Sequence, residues 1–110
     1  MGRWAQRQRR GGGPGSRPPP TVTITEITVF DNPTGALLVT FSADVNETDF
    51  AGSDFFNQDV GSAADTVLGG DPNQLIVSAA AWIGLLNAGQ AVTYSGSAPD
   101  VVTPQTVPVS

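Results

Sequence analysis

The chain of 110 residues has no cysteine, no histidine and no lysine, and only one tyrosine and one methionine. Each absence removes a class of chemistry. Without cysteine there is neither a disulfide framework nor a thiolate metal site, so packing alone must hold the core. A Ser-His-Asp or Cys-His pair, a Ser-Lys dyad and a Schiff base are all out of reach. Paired carboxylates are the catalytic device that remains, and Asp44, Glu47, Asp49 and Asp54 lie close together in the sequence. A single small core gives little room for a sugar cleft, so no enzymatic activity, catalytic residue or cofactor is expected. No apolar run approaches the 18 or more residues of a membrane span. The basic N-terminus continues into Gly11-Gly12-Gly13-Pro14 rather than an apolar stretch, so neither a membrane span nor a signal peptide is expected.

Positive charge is missing from most of the chain. All five basic residues (Arg3, Arg7, Arg9, Arg10 and Arg17) precede Pro18, and all ten acidic residues lie between Glu26 and Asp100. The net charge of -5 therefore hides a basic arm and an acidic body. The predicted domain boundaries are residues 1–20 for the arm and 21–110 for one folded domain. Within the arm, Met1–Arg10 holds Trp4 and four of the arginines, whereas Gly11–Pro20 is a linker. Three consecutive glycines maximise backbone entropy and the final three prolines favour a stiff, extended polyproline II segment.

From Thr21 the pattern changes to period two. Thr21–Thr25 alternates threonine with β-branched apolar residues, as a half-buried strand does. The alternation slips at Thr25-Glu26 and resumes with Ile27 and Val29, which predicts a bulge or a switch between sheets. Asp31-Asn32-Pro33-Thr34-Gly35 has turn chemistry, so Ala36–Ser42 is predicted to pair back on the first strand with Leu37, Val39 and Phe41 on one face. Ala43–Asp65 reads as short strands and loops. Thr66–Leu68 leads into the turn cluster Gly69–Asn73, and Gln74–Ala79 is a further strand. Ala79–Leu86 is predicted to turn and tuck Trp82 and Leu85 under the domain, because Gly84 and the short length argue against a helix. Ala91–Ser95 and Val101–Val109 complete the set, with Pro104 and Pro108 marking the last strand as an edge. The expectation is an all-β antiparallel sandwich of six to seven strands.

The runs Val39-Thr40-Phe41-Ser42 and Gly89-Gln90-Ala91-Val92-Thr93-Tyr94-Ser95-Gly96 resemble the short immunoglobulin-like sandwiches of phage structural proteins and bacterial surface proteins. The similarity covers residues 21–110 and rests on packing and turn positions, without the Cys-Trp-Cys core of antibody domains. It implies the fold more directly than the function. The resemblance and the charge split together point to a virion structural protein: a phage-type capsid decoration, minor capsid or fibre-base subunit, made in the host cytoplasm. The alternatives are a cell-surface or extracellular adhesion module, and a capsid protein whose basic arm binds genome.

The residues expected to bind a partner are Arg3, Trp4, Arg7, Arg9, Arg10 and Arg17. Tryptophan and arginine are enriched in protein hot spots, so the favoured partners are other capsid proteins or adjacent copies of the same chain, within a multi-subunit assembly. Nucleic acid ranks second, because the cluster is small and an acidic body would be repelled by a genome. A solubilising tail is the bland alternative. The stretch from Asp44 to Asp59 offers oxygen ligands of the kind calcium takes, but lacks EF-hand spacing; it reads mainly as a solvated acidic loop.

Overall fold

The computed structural model describes residues 19–110. Arg3, Trp4, Arg7, Arg9, Arg10 and Arg17 lie outside the described residues. Strand β1 (Ile24–Asp31) runs through a turn at Asn32–Gly35 into β2 (Ala36–Phe41), which pairs with it antiparallel. Pro33 fits the single 3₁₀ turn at Asn32–Thr34. Gly35 ends it in the left-handed region, at φ 67°. The ladder shifts register between Ile24 and Glu26, at the position where the sequence alternation slips. The extra residue lets both Ile24 and Ile27 face inward despite their odd spacing, and both are buried.

The remaining strands are β3 (Phe55–Asn57), β4 (Ser62–Ala63), β5 (Thr66–Gly69), β6 (Gln74–Ser78), β7 (Ala91–Tyr94) and β8 (Gln105–Pro108). They form two four-stranded sheets, ordered β1-β2-β6-β5 and β4-β3-β7-β8, with every pairing antiparallel. The chain changes sheet after β2, β4 and β6. Among the described residues eight strands thus replace the six or seven expected, because Phe55–Asn57 and Ser62–Ala63 are too short for a period-two signal to register. The first strand also starts later than predicted, at Ile24 rather than Thr21. Val101 is not part of β8; it forms an isolated bridge with Val22, and Val109 forms another with Ile27.

Those two bridges close one side of the sandwich. Val102 N–H donates to the Val22 carbonyl at 2.9 Å, Ser110 N–H to that of Ile27 at 2.7 Å, and Ile24 N–H to Gln105 Oε1 at 2.9 Å. The exposed ladder groups of edge strands β1 and β8 are thereby partly satisfied. Pro104 and Pro108 flank and end β8, as an edge position permits.

Between the sheets lies one core. Leu37, Val39 and Phe41 face inward from β2 while Leu38 and Thr40 stay half-buried, the predicted alternation. Leu75 and Val77 of β6 join them, opposite Phe55, Val92 and Tyr94 of the second sheet. Trp82 sits on a 3₁₀ turn (Ala80–Trp82), is fully buried, and donates its indole N–H to the Ser62 carbonyl at 3.2 Å. Leu85 departs from expectation: it is 52% exposed, whereas its neighbour Leu86 is 2% exposed. Asn32 decides between them by gripping Leu86 on both sides. Its Oδ1 accepts the Leu86 N–H at 3.1 Å and its Nδ2 donates to the Leu86 carbonyl at 3.2 Å. Gly84, at φ 73°, makes the reversal that points Leu85 outward.

Candidate functional site

The strand registers give the sandwich two unlike ends. Ile24 pairs with Phe41, Thr40 with Gln74, and Phe55 with Tyr94, which in turn pairs with Gln105. The connections leaving those pairs all emerge at one end: Ser42–Asp54, Gly70–Asn73 and Ser95–Pro104. The described chain enters there as well. The backbone N–H groups of Thr21 and Val22 both donate to the Asp100 carbonyl, at 3.0 and 2.9 Å. The turn at Asn32–Gly35, the loop Ala79–Gln90 and the C-terminal Ser110 occupy the opposite end.

Six of the ten acidic residues fall at the entry end: Asp44, Glu47, Asp49 and Asp54 on the long connection, Asp71 on the turn and Asp100 on the last connection. The sequence gathers the first four visibly. Asp71 and Asp100 arrive only through the fold, each marked in sequence by no more than a neighbouring proline, Pro72 and Pro99. Asp59, which follows the same acidic stretch in sequence, lies at the other end, where its Oδ2 accepts the Ala91 N–H at 2.7 Å. Among the described residues no group of three acidic side chains converges as a metal site would require.

The long connection is well fixed for a loop. Asn46 Oδ1 accepts from Thr48 N–H at 3.1 Å and from Thr48 Oγ1 at 2.8 Å, which starts the 3₁₀ turn at Glu47–Asp49. Val45 N–H donates to the Pro72 carbonyl at 2.9 Å, tying the loop to the turn beside it. Asp54 Oδ2 accepts the Ala51 N–H at 2.9 Å, and its backbone carbonyl accepts the Ser95 N–H, also at 2.9 Å. Such bonds fix the loop while Asp44, Glu47 and Asp49 stay exposed at the rim and Asp54 is half-buried.

A cleft of about 300 Å³ opens among these loops. Its apolar side consists of Val22, Val45, Phe50, Ala98 and Val101, and its polar side of Asp44, Asn46, Asp49 and Asp100. Phe50 is half-buried and connects the cleft to the core. Its ring centroid is 5.4 Å from Phe41, 6.1 Å from Phe55 and 5.8 Å from Tyr94. Beneath it the Tyr94 hydroxyl accepts the Ala98 N–H at 3.0 Å. Burial pushes the Tyr94 phenol above its usual range; the Ala98 hydrogen bond opposes that shift, and the charges of Asp54 and Asp49 add to it. The cleft therefore pairs an aromatic wall with a negative field.

No protein-family model, curated protein or solved structure matches the chain. Among the described residues no helix is long and apolar enough to cross a membrane.

Proposed function

We propose that this chain is a structural subunit of a virion, built as an immunoglobulin-like domain tethered by its basic N-terminal arm. The arm anchors the subunit to other capsid proteins or to an adjacent copy, and the acidic domain faces outward as a decoration, minor capsid or fibre-base element. The strand order supports the immunoglobulin-like part: lettered along the chain, β1-β2-β6-β5 reads A-B-E-D, and β4-β3-β7-β8 reads C-F-G with one added edge strand.

The observation that carries the functional reading is the division of labour. Among the described residues the core runs from Ile24 to Val109, and every strand signal in the sequence also falls within residues 21–110, which supports a domain that folds without Trp4 or the arginines. An arm that folding does not require, and that holds all the chain's cations, is best explained by a partner. A genome-binding arm is the weaker reading, because a duplex approaching it would also meet the six carboxylates at the entry end.

Occupancy on assembled particles tests the anchor. Trp4→Ala should lower subunit occupancy at least tenfold, equivalent to about 1.4 kcal/mol, while the free subunit still unfolds in one cooperative transition. Unchanged occupancy would return the sandwich faces to first place as the binding surface.

A further inference from the structure

The arm also has a candidate seat on its own domain. We propose that the cleft walled by Phe50 and rimmed by Asp44 and Asp49 is a binding site for a basic, aromatic peptide, and that in the free subunit its occupant is residues 3–10 of the same chain. Three observations converge on that occupant. Pro20 lines a neighbouring cleft together with Ala98–Val101, which also line this one, and Thr21 N–H donates to the Asp100 carbonyl at 3.0 Å, so the described chain begins beside the cleft. The end of the sandwich from which it starts carries Asp44, Glu47, Asp49, Asp54 and Asp71, and residues 18–110 contain no cation to balance them. The cleft itself, at about 300 Å³, is the size of a small-ligand pocket and suits one indole against Phe50.

Chain length favours an intramolecular contact. The glycine-rich part of the linker, residues 11–17, would span on the order of 15 Å as a flexible chain, short enough to return the arm to its own entry point. A tether of that kind gives an effective concentration in the millimolar range, well above that of arms from other copies in dilute solution. Trp4 fills the apolar side, and Arg7, Arg9 and Arg10 lie along the rim carboxylates, where each pair is exposed and weakened by salt. The arm is then held until an assembly site with a higher affinity competes it away. This goes beyond the virion reading and depends on it only for the final release step.

Backbone amide resonances of the full chain in solution test the proposal. Trp4→Ala should move the resonances of Asp44–Phe50 and Ala98–Val101 while leaving Ile83–Asn87, at the opposite end, in place. The double variant Asp44→Asn/Asp49→Asn should move the Trp4 indole resonance toward its position at high salt. Both effects should persist unchanged on dilution. No movement in the cleft residues would overturn the proposal, as would movement that disappears on dilution together with a fall in sedimentation coefficient, which would assign the cleft to a second copy's arm. Because the measurement uses the free subunit, its failure is distinct from a failure of particle anchoring.

Discussion

The hydroxyl of Tyr94 accepts the backbone N–H of Ala98 at 3.0 Å, and both residues are buried. This bond ties the end of β7 to the loop that forms one wall of the cleft. Replacing Tyr94 by phenylalanine leaves a buried N–H without a partner, a cost of about 1–3 kcal/mol. Chemical denaturation should register it as a lower midpoint with an unchanged slope. No loss of stability would mean that the loop is held without this bond.

The same residue makes alkaline unfolding a single-site experiment. The chain has no lysine or cysteine, and arginine stays charged, so Tyr94 is the only side chain titrating near pH 10. Its folded-state pKa is raised, first by burial and then by Asp54 and Asp49. The unfolded chain therefore ionises first. The contribution is fully present below pH 10 and is lost as pH rises from there through the folded pKa. Melting temperature should fall over that range in the native chain and stay nearly level in Tyr94→Phe. Equal slopes in the two proteins would contradict the assignment.

Gly35 combines a positive φ of 67° with a crowded setting. A methyl group there would be driven into the Ala79 carbonyl oxygen and would sit 2.9 Å from the Ile83 nitrogen. Gly35→Ala should cost well over 1 kcal/mol, since strain and collision act together. For a domain of this size each kcal/mol lowers the melting temperature by about 4–8 °C, readily seen by calorimetry. Gly61→Ala is the control. It also has a positive φ, of 83°, but nothing within 4 Å of the added carbon, so its cost should be smaller.

Ser62 offers a change in the opposite direction. Among the described residues its Oγ is a buried side-chain oxygen with no hydrogen-bond partner. Ser62→Ala removes an unsatisfied hydroxyl and keeps the carbonyl that Trp82 uses, so stability should be unchanged or higher by up to about 1 kcal/mol. A destabilisation larger than that would show that the hydroxyl has a partner, such as a bound water.

Nucleic-acid binding is the sharpest check on the arm's role. If the five arginines each neutralised a phosphate, log K would fall with log salt at a slope of about -4 to -5 for duplex DNA. Filter-binding titrations with single- and double-stranded DNA and RNA at low salt should give no such dependence. Tight binding with that slope would put genome contact ahead of protein anchoring.

The local pattern determined what depends on neighbours in sequence. Alternation in Ala36–Phe41 specified which side chains face inward, the slip at Thr25-Glu26 marked the bulge, and Asn32-Pro33-Thr34-Gly35 marked the first turn, because pleat and turn geometry act over two to five residues. The charge split was equally plain, since composition needs no fold. Tertiary structure alone decided the rest. Asn32 chose Leu86 over Leu85 for the interior from more than fifty residues away, by hydrogen bonds that no periodicity encodes. The cleft depended on the same kind of long-range placement: Asp100 joins Asp44 and Asp49 in its lining, and Asp71 comes to the same end, only because strand register brings three separate connections together there, and the same register carries Asp59 to the other end.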